Sequence, residues 1–287
     1  MRRITFLQFA APSMIVMALL MVAPLAMAIW LGMNFITYYN INDPQFIGFE
    51  NYSYVLNDPR FWQSFQFTGL YTIIVVPAQI MIGFTVALLL DQVSRFTRGI
   101  YLSIFLLPFI IVPVVGALMF KQLFQPSGLL TWVIQTVFDT RFRFNETTVK
   151  TLIILYGVWA TTPFALVTYF AGLQTLPPEQ MEAASIDGAS RFQKIRYIVL
   201  PHVSSLTVFI LLISLMDAYR VFDSVFVLSE MNPIFKANTI MTYTFQTAVT
   251  VENLGRANAM AILTVIGIMI ILIPNLIKSY KEQVEER

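Results

Sequence analysis

Apolar residues in this chain come in long unbroken runs, and polar residues collect in the gaps between them. A helix that crosses a bilayer needs about 20 mostly apolar residues. Six stretches have that length, at about 12–36, 67–90, 100–120, 151–173, 203–228 and 257–277. The second carries no charge between Phe67 and Leu90. Prolines sit inside several of them (Pro24, Pro77, Pro108, Pro113, Pro163, Pro274). In lipid, neighbouring helices and Ser/Thr hydroxyls satisfy the carbonyls that a proline frees, so the pattern predicts helices that continue through them. Leu129–Phe138 is a shorter run, of the length expected for an interfacial or buried segment. The first run follows Arg2 and Arg3, as in a signal peptide, but extends from about Ala10 to Ile36. That exceeds a signal's apolar region of about 7–15 residues, and the run reads as an uncleaved first span. No repeat, low-complexity tract or flexible linker interrupts the pattern. The expected fold is one all-α integral membrane domain over residues 1–287.

Composition sharpens this picture by exclusion. The chain is 57% hydrophobic and 12% charged, against roughly 25% charged in soluble domains. The net charge of +2 gives no footprint for nucleic acid. With no Cys, disulfides, thiolate catalysis and Cys-ligated metals are excluded, and His202 as the sole His excludes a multi-His metal site. No carboxylate pair or Ser/His/Asp set has catalytic spacing, so no catalytic residue and no metal ligand is assigned.

Lys and Arg favour cytoplasmic loops. With six spans, one side holds Arg2, Arg3, Arg95, Arg98, Arg191, Lys194, Arg196, Lys278, Lys281 and Arg287. The other holds Arg60, Lys121, Arg141, Arg143, Lys150, Lys236 and Arg256. The bias puts both termini in the cytoplasm, and with them the loop at 174–201.

That loop contains EAASIDGASRFQKIRYIVLP at residues 182–201. Leu176-Pro177-Pro178-Glu179 has the chemistry of a helix start: proline fits the first turn, and Glu179 and Glu182 suit its positive end. Residues 179–187 favour helix, and Gly188 stands where a helix end needs a left-handed residue. A second helix is predicted from Ala189 to about Val199, ended by Pro201. Ala183 and Ala184 are small enough to seat a helix closely on a partner, and Glu182 offers it a carboxylate.

The order Glu182, Ala183, Ala184, Gly188, Ile198, Leu200, Pro201 resembles the coupling loop, or EAA motif, of the membrane subunits of binding-protein-dependent ABC importers. A second stretch, Tyr219-Arg220-Val221-Phe222-Asp223 followed by Val225-Phe226-Val227-Leu228, resembles the carbohydrate permeases of the maltose and glycerol-phosphate type. Thr239, Tyr243 and Leu254-Gly255 fit the same family. The chain departs from it at Ser229-Glu230-Met231-Asn232-Pro233, where the family often has Gly-Gly-Gly before the proline.

The resemblance implies a six-span type I permease of the bacterial cytoplasmic (inner) membrane. It also implies a second homologous permease subunit, two ATPase subunits and an extracytoplasmic solute-binding protein. Glu182, Ala183, Ala184, Asp187, Gly188, Arg191, Leu200 and Pro201 would then face the ATPase. No Gly-x-x-x-x-Gly-Lys-Ser/Thr loop occurs, so this chain binds no cofactor, and ATP and Mg belong to the partners. Asp217, Arg220 and Asp223 follow at i, i+3 steps, so they are expected along one side of the fifth span, where they can pair. Intramembrane charges are functional candidates by default, and simple pairing at the outer interface is the alternative, since Asp217 lies roughly 22 Å along the helix from His202. Rings and hydroxyls suit sugars, and Tyr219 and the fourth-span residues Tyr156, Trp159, Thr161, Thr162, Thr168 and Tyr169 supply both, while packing between helices or anchoring at the membrane interface is the alternative role for most of these Trp and Tyr side chains. An importer of a non-sugar solute stays open, as does an ion-gradient-driven transporter, although the latter's duplicated halves and intramembrane relays are not visible.

Overall fold

The computed structural model describes residues 3–139 and 143–285. Arg2, Arg141 and Arg287, which entered the charge count, lie outside them. In chain order the elements begin with α1 (Arg3–Gly32), β1 (Asn34–Phe35), β2 (Gln45–Phe46), α2 (Glu50–Asn57) and α3 (Pro59–Asp91). Next come α4 (Arg95–Ile110), α5 (Pro113–Phe124), α6 (Leu129–Phe138) and α7 (Glu146–Leu173). After α8 (Pro178–Ile186) and α9 (Arg191–Lys194), a π-helical turn (Ile195–Val199) leads to α10 (Leu200–His202). The chain finishes with α11 (Ser204–Tyr219), α12 (Asp223–Ser229), a 3-10 turn (Pro233–Phe235), α13 (Ile240–Val249) and α14 (Leu254–Glu285). Among the described residues, four helices are long and apolar enough to cross a membrane: Phe9–Gly32, Pro59–Asp91, Glu146–Leu173 and Leu254–Pro274. Two bent pairs bring the number to six if each is one span.

The chain divides into two compact units. One comprises the chain up to Gln63 together with Ile240–Ile271. Here α1 stops at Gly32, short of the expected residue 36, because side chains take over the carbonyls at its end. Asn51 Nδ2 donates to Gly32 O and Asn34 O, both at 2.9 Å, and Asn34 Nδ2 donates to Trp30 O. The chain then enters the β1–β2 hairpin, with Asn34 opposite Phe46 and Phe35 opposite Gln45. Gly255 N donates to Ile36 O at 3.2 Å. A Cβ on Gly255 would strike Asn34 O, so only glycine allows this approach. Tyr243 OH donates to Asp58 Oδ2. Burial first, and then this bond to a carboxylate, raise the Tyr243 phenol above its ordinary range. The Arg256 guanidinium lies 3.6 Å from the Tyr54 ring centroid.

The second unit, Ser64–Thr239 with Leu272 onward, holds both clusters of buried apolar side chains. One gathers Phe67, Tyr71, Val75, Tyr156, Val225 and Leu228. The other gathers Ala87, Leu166, Tyr169, Val203 and Ile210. Gly83 lets α3 approach α7 closely, since a Cβ there would lie 2.7 Å from Ala165 Cβ and 2.9 Å from Leu166 N.

Two expected continuous helices are broken in this unit. The stretch at 100–120 bends by 98° between Ile110 and Pro113. The residue before a proline is pushed toward extended backbone, and Val112 adopts φ −55°, ψ 129°. Tyr156 OH donates to the Pro113 carbonyl at 2.8 Å, so a side chain from another helix stabilises the break. The stretch at 203–228 ends as helix at Tyr219 and resumes at Asp223. Thr239 Oγ1 donates to Val221 O, at 2.9 Å, within that gap.

Candidate functional site

A cavity of about 560 Å³ opens in the second unit among α3, α4, α7, α11 and the start of α12. The two breaks build it. Pro108 and Pro113 border it from the bent pair, and the gap after Tyr219 turns Arg220 and Asp223 toward it. Arg220 Nη2 bonds Asp217 Oδ1 at 2.7 Å. Asp223 opens the first turn of α12, where a carboxylate meets the positive helix end. The three charged residues therefore share one cavity, but not one helical side: α11 ends before Arg220, and the i, i+3 continuity expected across it does not exist. Two carboxylates against one guanidinium leave the wall with a local excess of negative charge.

The remaining wall is mostly apolar and aromatic, with a few polar atoms from Gln79, Tyr156, Thr161 and Ser214. Thr161 Oγ1 is occupied by the Gly157 carbonyl at 2.8 Å. Five residues proposed from the sequence for the solute path do not line this cavity, among them Thr162, whose Oγ1 donates to Val158 O. Trp159 stacks on Phe120, with ring centroids 6.2 Å apart. Thr168 Oγ1 donates to Phe164 O. Tyr169 is buried and donates to Thr207 Oγ1 at 2.9 Å. Tyr219 is buried in packing beside the break. Trp159 and Tyr169 thus join α7 to neighbouring helices, while Thr168 is satisfied within α7 itself. Conversely, Gln79, Ser214 and Tyr71 border the cavity without having been singled out, because a residue type in an apolar run does not disclose which helix face meets a void.

The loop between α7 and α11 forms a projecting knob. α8 begins on Pro177-Pro178, and Gly188 at φ 75° reverses the chain. An added Cβ at Gly188 would meet nothing within 4 Å, so glycine is required there by backbone conformation, not by space. Ala189 N donates to Ala184 O at 2.9 Å, closing the helix end. Ser190 and Gln193 exchange capping bonds that start α9. Lys194 Nζ donates to Ser185 Oγ at 2.6 Å and braces the two arms.

Pro201 stands one residue before the end of this second arm, which stops at His202 and bends by 65° into α11. The π turn at Ile195–Val199 accommodates the missing proline N–H. His202 Nε2 meets Thr175 Oγ1 at 3.0 Å and Gly172 O at 3.3 Å, tying the knob's base to the end of α7.

No residue of α8 or α9 is buried. Glu182, Ala183, Asp187, Gly188 and Arg191 are exposed, while Ala184 and Leu200 are partly covered. Three large apolar side chains stand out from the same knob: Ile186, Phe192 and Tyr197, at 87%, 75% and 73% exposed. Beside its base, Arg98 bonds the carbonyls of Leu90, Asp91 and Val93 and the side chain of Gln174. Gln174 Nε2 in turn donates to Asp91 Oδ1 at 2.8 Å. The ends of α3, α4 and α7 are thereby joined. The sequence had placed Arg98 only as a topology charge.

The sequence model described as "Binding-protein-dependent transport system inner membrane component" matches residues 57–283. A probable ABC transporter permease protein, y4oQ of Sinorhizobium fredii, is 29% identical over 276 residues, which cover 94% of this chain and 88% of that protein. The trehalose/maltose transport system permease protein MalF of Thermococcus litoralis is 28% identical over 262 residues, 90% of this chain and 88% of the relative. A chain from the crystal structure of a bacterial ABC transporter involved in the import of the acidic polysaccharide alginate superposes with a TM-score of 0.83 at 22% identity, covering 96% of both chains. That likeness shows the permease fold, and the match over residues 57–283 shows that the chain belongs to the family of binding-protein-dependent transport system inner membrane components.

Proposed function

We propose that this chain is the permease subunit of an ATP-driven importer for a sugar or sugar-like solute, working in a bacterial cytoplasmic membrane. It pairs with a second homologous permease and two ATPase subunits, and a solute-binding protein delivers the cargo from outside. The observation that carries this reading is the α8–Gly188–α9 knob: a braced protrusion whose two helices bury no residue, and which with the following π turn exposes Ile186, Phe192 and Tyr197, needs a protein partner. Names of relatives supply the cargo class, since the Thermococcus protein transports trehalose or maltose.

The mechanism follows from rigidity. The knob is a short helix pair fixed by caps, a brace and the His202 contact, so displacement of a bound ATPase moves it as a body. The Arg98–Asp91–Gln174 network passes that displacement to the ends of three candidate spans. ATP, with Mg, is bound and hydrolysed by the partners, while this chain contributes the knob, the moving helices and the cavity. Opening the cavity alternately to each side releases the solute in one direction.

The complex reconstituted in vesicles tests this. Uptake of labelled trehalose or maltose should stop on ATP depletion and persist with a protonophore, and an ATPase should co-purify. Uptake that follows the proton gradient, without an associated ATPase, would contradict it.

A further inference from the structure

Polar side chains in the candidate spans mostly satisfy themselves. Thr68, Thr72, Thr85, Thr161, Thr162 and Thr168 each donate to a carbonyl four residues back. Gln79 breaks this habit. It lies on α3, is 2% exposed, and its Oε1 has no hydrogen-bond partner among the described residues. Ser214, on α11, is 5% exposed, and its Oγ is likewise unpartnered. Both border the cavity. The other two such atoms, Tyr219 OH and Thr244 Oγ1, belong to residues off its wall. A buried polar atom without a partner is costly, and a ligand that supplies the missing bond recovers that cost.

We propose that Gln79 is a specificity-determining residue: its amide oxygen accepts a hydrogen bond from a hydroxyl of an uncharged sugar or polyol in the cavity, with Ser214 as the second polar contact. This rests on the sugar-importer reading above and narrows it. An amide oxygen only accepts, so the group it takes from the ligand is a donor such as a hydroxyl. The charged part of the wall agrees. Arg220 is already paired with Asp217, and Asp223 has no ion-pair partner among the described residues. An anionic sugar would meet uncompensated negative charge. The volume of about 560 Å³ lies within the ordinary range for small-molecule sites.

The test uses the whole complex, with its own ATPases and binding protein, in proteoliposomes. Labelled trehalose, maltose, glucose, glucitol and glycerol 3-phosphate are offered in turn. A neutral probe should be taken up and glycerol 3-phosphate refused. Gln79→Met should then lower kcat/KM for that probe about three- to tenfold, the worth of one neutral hydrogen bond.

The decisive step is a double cycle with monodeoxy analogues of the transported probe, each corrected for its separately titrated affinity for the binding protein. One analogue should lose the same factor on the wild-type complex and nothing further on Gln79→Met. If Gln79→Met fails to assemble, Gln79→Asn, which withdraws the amide, enters the same cycle. Preference for glycerol 3-phosphate, or equal losses for every analogue on both proteins, would overturn the assignment while leaving in place an ATP-driven importer of a sugar or sugar-like solute. Wild-type uptake of none of the five probes would overturn the assignment and the sugar reading together.

Discussion

Gly188 adopts φ 75° with open space around it, so its requirement is one of backbone angle. Proline locks φ near −65° and cannot adopt this reversal. Gly188→Pro should leave membrane insertion intact and lower ATP-driven uptake by roughly an order of magnitude or more, measured against protein level in the same vesicles. A different residue-scale effect is expected at the α12 end, where Glu230 and Met231 both adopt φ 53°. Left-handed backbone disfavours side chains with a Cβ, and this is where the resembling permeases carry glycines. Lys121 holds the turn by bonding Val227 O, at 3.0 Å, and the Glu230 carboxylate. Ser229 Oγ accepts from Met231 N at 3.2 Å. Met231→Gly should therefore raise thermal stability, by about 1 kcal/mol, without disturbing the Lys121 contacts. Tyr243 is a third case. Its raised phenol pKa means the protonated form is favoured in the fold, so its bond to Asp58 persists below the ordinary tyrosine range and is lost only as pH rises through the higher folded value. Tyr243→Phe should cost about 1.5–3 kcal/mol, the value of a hydrogen bond to a charged group, read as a lower melting temperature in detergent at neutral pH.

At the scale of elements, the breaks matter more than the helices. Hydropathy averaged over 100–120 and 203–228 gave two spans, and their apolar character is real. It could not register the 98° bend, because an apolar pair of half-helices has the same composition as one straight helix. The bend depends on Val112 turning extended before Pro113, and on Tyr156 reaching the Pro113 carbonyl from α7. Tyr156→Phe should leave that carbonyl less well satisfied and lower stability by about 1 kcal/mol, detected by thermal unfolding of the purified protein. The same averaging misplaced Asp223, whose relation to Asp217 runs across a break and through a shared cavity. Legibility was best where the chemistry is local. The Pro177-Pro178 start, the Gly188 reversal and the extent of α8 were all readable, since each depends on residues within one or two turns. The π turn that carries the helix past Pro201 was not, because it trades one backbone pattern for another without a signature in residue type. Gln79 was silent for a third reason: which face of α3 meets a void is settled by the packing of α7 and α11 against it.

For the whole molecule, the family match and the permease fold agree with the motif that first pointed to them. Labour in the chain is divided between a rigid knob and a cavity shaped by broken helices. The knob must be held by a partner for the cavity to be driven. The most direct measurement is site-specific photocrosslinking from Phe192 and Ile186, the exposed apolar positions of the knob, in membranes that also contain the ATPase. The account predicts capture of the ATPase from both positions, at yields that change when ATP hydrolysis is blocked by vanadate. No capture from either position, in a complex that still imports its solute, would contradict it.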